Sequence, residues 1–502
     1  MAGPGFLRAW RSDALASIVV FLVALPLSMG IAIASGVPIE RAAATGIVTA
    51  VIGGLIVGPL SGSPLQVSGP AAGLAVMVSI FVQEHGFRTL GLIILLGGLT
   101  QLVAGLLRFG PVFRAVSPAL IEGMLAGIGV LIFASQFHVM VDDYPPGTGK
   151  EFGGVINLWR LPEAVWKGVS EPLHQPAALL GLLTITIVVI WALFTPKRLK
   201  LVPAPLLGVV IATGVSVFFD LDVKRIPVPE RLLDAIDPPQ LDVMGKLGDG
   251  AIWLAGLSLA FVASAESLLT ATAADTMQRR GERTDYSREL VAQGIGNMIC
   301  GALNVLPITG VIVRTSTNIM AGAQTRLSAF LHGAWMLLFV LLLPGVLSMA
   351  PIATLAAVLV YTGVKLACVA FLRKLWTQDR AEALVYLVTF AGVVGLDHLT
   401  GNVMGVALAL ARLLKAFSHL EITMVQDLDK PTLDIRLKGA ATFIRLPQLA
   451  AALETAPPGA DAHIHLNELT YVDHACLSLL VDWAERHQAT GGALHLDWAE
   501  LH

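Results

Sequence analysis

Charge and cysteine are both scarce in this chain. Asp, Glu, Lys and Arg make up 14% of its 502 residues and nearly cancel, to a formal net charge of -3. No overall basic field is available, so nucleic acid is excluded as a partner. Three cysteines, Cys300, Cys368 and Cys476, supply neither a disulfide framework nor a zinc spacing. All three read as packing residues. No nucleophile, base and orienting group occur at a recognisable spacing, and no phosphate loop accompanies the apolar segments. The chain therefore reads as a non-enzyme with no cofactor and no metal. A cleavable signal peptide is not expected either, because Arg8 and Arg11 precede an apolar run from Ala14 to Ser35 long enough to remain as a spanning helix.

What the chain has in abundance is apolar surface: 55% of its residues are hydrophobic and its mean hydropathy is +0.75. A polytopic α-helical membrane protein follows. Fourteen segments are expected, at 13–35, 42–60, 70–83, 89–107, 117–140, 176–195, 203–219, 249–274, 288–306, 311–323, 326–347, 353–371, 380–396 and 399–415. Arg108 and Arg114, Lys197 with Arg198 and Lys200, Arg279 with Arg280 and Arg283, and Arg373 with Lys374 fall in alternate loops, on the side of the N-terminal arginines. The positive-inside rule makes that side cytoplasmic and, with an even helix count, places both termini there. The expected location is a bacterial inner membrane.

Two segments depart from the spanning pattern. One is entered through Gly58-Pro-Leu-Ser-Gly-Ser-Pro-Leu-Gln-Val-Ser-Gly-Pro-Ala-Ala-Gly73 and runs apolar only to Val82; the other is entered through Asn304-Val-Leu-Pro-Ile-Thr-Gly-Val-Ile-Val-Arg-Thr-Ser-Thr-Asn318 and ends by Ala323. Each is too short to cross a bilayer as a full helix. Non-helical backbone at membrane depth is tolerated only where it lines a cavity or is buried in protein. They are the third and tenth segments, so one points outward and the other inward, as two seven-helix halves related by an inverted repeat require. Such paired broken helices mark a midplane binding site.

The tail differs in kind. The alternating runs Leu433-Asp-Ile-Arg-Leu437 and His463-Ile-His-Leu466, the apolar-periodic stretch Ala475 to Gln488 and a final Ala493-Leu-His-Leu-Asp497 make a small soluble α/β domain. The expected division is a transport domain over 1–420 and the cytoplasmic tail domain over 421–502.

Several stretches together carry a family resemblance: Asp13-Ala-Leu-Ala-Ser-Ile with Leu25-Pro-Leu-Ser28, Ser61 to Ala72, Ser117-Pro-Ala-Leu-Ile-Glu-Gly-Met-Leu-Ala-Gly-Ile-Gly129, Ser264-Ala-Glu-Ser-Leu-Leu269, Glu289-Leu-Val-Ala-Gln-Gly-Ile-Gly-Asn297, and Arg314-Thr-Ser-Thr-Asn318 with Gly322-Ala-Gln-Thr-Arg326. The chain resembles the SulP anion transporters, and its tail, through Tyr471-Val-Asp473 and the helix that follows, resembles a STAS domain. The resemblance implies a core of segments one to four and eight to eleven moving against a gate of the remaining six, and a homodimer. It also implies a substrate: the chain looks most like prokaryotic members that carry dicarboxylates such as fumarate with protons. Sodium-coupled bicarbonate or proton-coupled sulfate transport are the alternatives, and an anion channel is the alternative from another class.

At the proposed site both half-helix N-termini leave N–H groups unpaired and aim partial positive charge at one point, where an anion fits. Ser68, Gly69, Ala71 and Ala72 let a ligand approach the backbone donors closely. Arg314 is costly at that depth unless it pairs with a substrate anion or with Glu266. Gln66, Ser28, Thr309, Gly310, Val313 and Thr315 complete the substrate-binding candidates. Glu266, with Thr270 one turn later on the same face, is the candidate site for a coupling proton or sodium ion; in similar sodium-coupled bicarbonate carriers an acidic residue near this place serves the cation. Glu40, beside Arg41, is a candidate proton relay near the outer interface. Glu122 reads as a structural contact of the gate, and Phe21, Leu27 and Met29 as apolar lining. In the tail, the phosphorylatable Asp-Ser pair of the anti-sigma-antagonist type is replaced by Asp473-His474, which leaves no hydroxyl for a phosphoswitch. His463 and His465 share one strand face with no third metal ligand evident.

Overall fold

In the computed structural model, residues 4–113, 117–147, 153–196, 202–227, 236–239, 241–278, 282–367, 369–396, 398–417, 419–426, 432–457, 459–491 and 493–496 are described. Arg114, Lys197, Arg198, Lys200, Arg279, Arg280, Cys368 and Asp497 lie outside them. The chain divides into two compact units, Met1–Gly405 and Val406–His502.

The first unit is helical. Its principal helices are α1 (Pro4–Ala34), α2 (Ile39–Ile52, prolonged by a π-helical turn at Gly53–Val57), α3 (Ala72–His85), α4 (Phe87–Leu106), α5 (Pro118–Met140), α6 (Gln175–Phe194), α7 (Ala204–Phe218), α8 (Gly250–Met277), α9 (Tyr286–Ala302), α10 (Ile312–Met320), α11 (Leu327–Leu342), α12 (Ile352–Leu366), α13 (Arg380–Gly395) and α14 (His398–Phe417). Among the described residues seven helices are long and apolar enough to cross a membrane, and four more are shorter apolar helices. Large apolar side chains face outward on α6, with Leu179 66%, Leu182 60% and Leu193 72% exposed, as on a helix whose outer surface is solvated by lipid.

Local signals explain the helix ends. Ser117 caps α5 with Pro118 in its first turn, and Asp249, Asp285 and Asp379 cap α8, α9 and α13. Pro26 lies inside α1 and removes a backbone donor there. The first helix begins at Pro4, ahead of the expected 13, and the ninth ends at Ala302 rather than 306, where Asn304 turns the chain with φ 51°.

Two strands interrupt the helical pattern. β1 (Ser68–Pro70) and β2 (Ile308–Gly310) pair antiparallel, with Gly69 opposite Thr309. Each leads directly into a half-length helix, β1 into α3 and β2 into α10. The helices around them form two packed groups: α4 with α8 and α9, and α1 with α2 and α11, in one; α5 with α12 and α13, and α6 with α7 and α12, in the other. Glycines allow close helix crossings. A methyl group on Gly98 would come within 2.5 Å of Met298 N on α9, and one on Gly54 within 2.5 Å of Gly333 Cα on α11. The inverted repeat exchanges α2 with α9 and α4 with α11, so these two crossings are counterparts.

The second unit holds a four-stranded sheet of order β3-β4-β5-β6: β3 (Leu420–Gln426) runs antiparallel to β4 (Thr432–Ala441), and β5 (Asp461–Val472) and β6 (Leu494–Leu496) continue it in parallel. Helices α15 (Leu446–Glu454) and α16 (His474–Gln488) supply Leu449, Leu453, Cys476, Leu480 and Trp483 to the core against Ile435, Leu437, Ile464 and Leu466. Strand β3 and helix α15 lie outside the runs expected from alternation. Asp473 caps α16 by accepting from Cys476 N at 2.8 Å and also accepts from Phe443 N. His463 does have a neighbouring imidazole, stacked on His495 with centroids 4.5 Å apart. His465 faces Asp434 at 3.6 Å, and no metal-holding group of three or more His, Cys, Asp or Glu occurs among the described residues.

Candidate functional site

The strand pair gathers most of the expected residues. Arg314, in the first turn of α10, reaches back across the pair so that its Nη1 lies where a methyl group on Gly69 would stand, 2.0 Å away. The reciprocal crossing comes from the other strand's approach: Gln66 lies over Gly310, whose methyl group would be 1.8 Å from Gln66 Nε2. Each glycine is thus the floor under a long polar side chain from the opposite broken helix, a close approach only glycine allows.

Arg314 is completely buried. Its Nη2 donates to Ser28 Oγ at 3.0 Å and to the Pro70 carbonyl at 3.2 Å, while Nε and Nη1 have no hydrogen-bond partner. Ser28 itself donates to the Ala24 carbonyl at 2.6 Å, near the break that Pro26 makes in α1. Its hydroxyl is therefore committed to positioning the guanidinium. Ser68 Oγ accepts from Gln293 Nε2 at 2.7 Å, which leaves its own proton to offer. Thr315 Oγ1 accepts from Val67 N at 3.1 Å and pins α10 to the approach of β1.

Neither half-helix has a side-chain cap: Ala71 precedes α3 and Val311 precedes α10, both extended. Their first N–H groups carry the positive ends of two helix dipoles. Together with the open nitrogens of Arg314 and the Ser68 hydroxyl, they form a cluster of donors whose charge suits an anion.

Glu266 stands beside this group. Its carboxylate oxygens lie 2.9 and 3.0 Å from where a methyl group on Gly73, in the first turn of α3, would be. Its Oε2 is buried without a partner. The possible Arg314–Glu266 ion pair is not formed among the described residues: the arginine bonds Ser28 and Pro70 instead. Thr270 donates to the Gly310 carbonyl at 2.9 Å, and Ser267 Oγ accepts from Gly310 N at 3.1 Å, so this turn of α8 holds β2 in place.

Four expected residues lie apart. Glu40 is exposed in the first turn of α2, and its neighbour Arg41 pairs with Asp237 at 2.9 Å. The Val313 side chain is 38% exposed. Glu122 is exposed on α5, and the contact that ties that helix end is Ser117 donating to Glu382 at 2.5 Å. Phe21 is a core residue tilted against Phe339 with centroids 5.4 Å apart, rather than a lining residue.

Sequence reasoning missed the scaffold behind the site. Glu289 on α9, fully buried, accepts from Ser61 Oγ at 2.5 Å, Ser63 N at 3.2 Å, Gln66 Nε2 at 2.8 Å and Gln293 Nε2 at 2.8 Å. Asn297, two turns on, brackets β2 by accepting from Ile308 N at 2.7 Å and donating to the Ile308 carbonyl at 3.0 Å. Their signal was present as three polar side chains, Glu289, Gln293 and Asn297, at four-residue spacing on one helix face.

A cavity of about 1020 Å³ lies between the two helix groups, lined by the C-terminal part of α1, Val76, Ser79 and Gln83 of α3, Leu131 and Ser135 of α5, and the charged residues Glu84, Asp142, Asp143, Lys224 and Arg225. Around it, Lys167 pairs with Asp143 at 2.8 Å. Desolvation pushes the Asp143 carboxyl up, but hydrogen bonds from Lys167 and the Tyr144 N–H outweigh it and hold the group below the usual carboxylate range.

Comparison with known proteins agrees with this geometry. The Sulfate permease family profile matches residues 10–389, and a profile described as Mlab, STAS domain, matches 424–500. The Bacillus subtilis protein YvdB, which carries a sulfate-transporter name, is 30% identical over 82% of this chain and 75% of its own. Among solved structures, the transmembrane domain of a cyanobacterial bicarbonate transporter, BicA, superposes with TM-score 0.68 at 24% identity, covering 80% of this chain and 98% of that one. The murine anion transporter Slc26a9 in its inward-facing state superposes with TM-score 0.80 at 16% identity, covering 97% and 85%. These two likenesses establish the fold: a polytopic helical membrane transporter with a C-terminal STAS domain.

Proposed function

Because the chain belongs to the sulfate permease family, we propose that this anion transporter is a secondary active symporter that moves a small dianion together with a proton. The observation that carries the reading is Arg314, buried between two uncapped half-helices with two nitrogens unpartnered. Each helix N-terminus contributes about half a positive charge and the guanidinium one more. The pocket therefore offers about two positive charges when Glu266 is neutral and about one when it is ionised. A proton on Glu266 favours a dianion, and this ties the two ligands to one binding event. Sulfate and a dicarboxylate such as fumarate both satisfy that count, and fumarate remains the dicarboxylate to test first. Bicarbonate, with a single charge, suits an ionised Glu266 accompanied by sodium, and the likeness to bicarbonate transporters makes it the second reading.

Helices α1–α4 and α8–α11 form the core that carries the site, and α5–α7 with α12–α14 the gate against which it moves. The cavity along α3 is the outer vestibule. The protein works as a homodimer in the bacterial inner membrane, with both termini cytoplasmic.

Uptake of labelled sulfate and fumarate into proteoliposomes tests the reading, with an inward proton gradient or an inward sodium gradient and bicarbonate as competitor. Concentrative uptake driven by protons is expected. Bicarbonate uptake driven by sodium alone would replace the dianion symporter with the second reading. Currents that scale with conductance and no concentrative uptake would make the protein a channel.

A further inference from the structure

The short helix Leu161–Ser170, between α5 and α6, divides lengthwise into three sectors. At about 100° per residue, Leu161, Ala164 and Gly168 share one, Glu163, Lys167 and Ser170 a second, and Pro162, Val165, Trp166 and Val169 the third. The first faces protein. Ala164 and Gly168 are buried, and a methyl group on Gly168 would stand 3.0 Å from Ala178 Cβ in α6 and 3.2 Å from Val141 Cγ1, just past α5. The second is polar and tied back, with Glu163 meeting Arg160 at 2.6 Å and Lys167 meeting Asp143 at 2.8 Å. The third is apolar and open. Trp166 and Val169 are each 69% exposed, and Trp159, just ahead of the helix, is 83% exposed.

An indole and two valines held open to water forgo the gain that burial would give them. The neighbouring elements show what covers them. Helix α6 starts at Gln175, is long and apolar enough to cross a membrane, and turns Leu179 and Leu182 outward. Leu173, also exposed, leads from Val169 to that lipid-facing surface. The His174 ring donates from Nδ1 to the Val141 carbonyl at 2.7 Å, so the short helix is fixed at the ends of α5 and α6, where acyl chains give way to headgroups. Tryptophan suits that boundary, having an apolar ring and a polar N–H. A second copy of the chain fits less well, because four side chains fall far short of the roughly 20–30 residues a side in a stable interface. We propose that Leu161–Ser170 lies in the bilayer interface and anchors the ends of α5 and α6 there. Val165, Trp166 and Val169 sink below the headgroups, while the sector of Glu163, Lys167 and Ser170 stays in water. On the topology proposed above this is the outer leaflet; the contact with lipid depends neither on that topology nor on which anion is carried.

Spin labels on cysteines introduced one at a time into the full chain test it, in nanodiscs of phosphatidylethanolamine and phosphatidylglycerol, with the unsubstituted chain as the blank. At Val165→Cys, Trp166→Cys and Val169→Cys, relaxation by oxygen, which concentrates in lipid, should exceed relaxation by a water-soluble nickel chelate. At Ser170→Cys the order should reverse. Nickel ahead at all four positions puts the apolar sector in water and overturns the proposal. Weak relaxation by both reagents at Trp166 and Val169 means that protein covers them, a second copy or another partner, and overturns it equally. Oxygen ahead at Ser170 as well would sink the polar sector into lipid and overturns the interfacial placement. Tryptophan emission gives a second measure that needs no cysteine: lipids brominated near the headgroup end of the acyl chain should quench a smaller share of the emission in Trp166→Phe than in the wild type. An equal share in both overturns the proposal. Anion uptake enters neither measurement, so either result leaves the symporter reading where it stands.

Discussion

Replacing Gly69 with alanine should disable the anion site while leaving the protein folded. Gly69 sits in β1 outside the left-handed backbone region, so alanine meets no conformational penalty there. The obstacle is steric: the new methyl group would lie 2.0 Å from Arg314 Nη1 and 3.0 Å from Cζ, and the terminal nitrogen must withdraw by about 1.4 Å to reach ordinary contact. That movement is larger than the slack in hydrogen bonds of 3.0 and 3.2 Å to Ser28 and Pro70. It takes the guanidinium off the position from which Nε and Nη1 meet the ligand. Losing one hydrogen bond to a charged group costs about 1.5–3 kcal/mol. The dissociation constant for sulfate or fumarate should therefore rise roughly ten- to hundredfold. The group displaced is the end of a flexible side chain, so thermal unfolding should change little. Gly53→Ala is the contrasting control, because its methyl group would meet the Ser68 carbonyl at 2.4 Å and backbone cannot withdraw in the same way; that variant should lose the fold. Titration calorimetry and a detergent-phase melting curve on both variants make the check. Wild-type affinity in folded Gly69→Ala would refute the placement of Arg314 in the anion's path.

Glu266→Gln should keep anion binding but lose proton-driven accumulation, since the amide keeps the shape beside Gly73 without accepting a proton; uptake with and without a pH gradient decides it. Glu289→Ala removes the acceptor for Ser61, Ser63, Gln66 and Gln293; at about 1–3 kcal/mol for each buried donor left unpaired it should lower the melting point sharply, with Glu289→Gln between it and wild type. In the tail domain, desolvation raises the Asp473 carboxyl, but N–H groups of Cys476, Phe443 and Ala475 outweigh it and hold the group below its ordinary 3.8. A carboxyl depressed in the folded state stabilises above its unfolded value and ceases to do so as pH falls through the folded one. Asp473→Ala should therefore loosen α16 by about 0.5–2 kcal/mol near neutral pH and by less below about pH 4. Hydrogen exchange over 473–488 in the full chain would show it, and equal effects at both pH values would count against the cap.

The fold was legible because bilayer thickness acts on single segments: each span announces itself by its own apolar length, and each broken span by falling short. The candidate site was legible for a similar reason, since Gly69, Gly310 and Arg314 are costly at membrane depth without a task. Glu289 was not. Within α9 it is one polar residue among several acceptable ones, and its meaning comes from contacts across more than two hundred residues of chain to Ser61 and Gln66. Val313 and Glu40 lie close in sequence to the site or the membrane boundary, but both side chains are exposed. The tail's β3 was missed although it alternates, with Leu420, Ile422 and Met424 inward and Glu421, Thr423 and Val425 outward.

The exchanged side chains also bear on how the site moves. Arg314 rests on the glycine of the other strand and Gln66 does the same in return, while Asn297 grips β2 and Thr315 holds the approach to β1. Neither broken helix could shift alone without breaking charge-assisted bonds in a dry interior, where each lost bond is costly. The strand pair, its two half-helices and the Glu289 scaffold should therefore travel as one rigid piece, and access should change at the looser boundary where the 1020 Å³ cavity lies. A disulfide between cysteines placed at Pro70 and Ile308, which face each other in register, would join two parts of that piece and leave transport cycling possible. A cross-link from α3 to α5 across the cavity, at Ser79 and Ser135, would tie the piece to its surroundings and stop transport in both directions. Uptake by the second variant at the wild-type rate after complete cross-linking would place the moving boundary somewhere else.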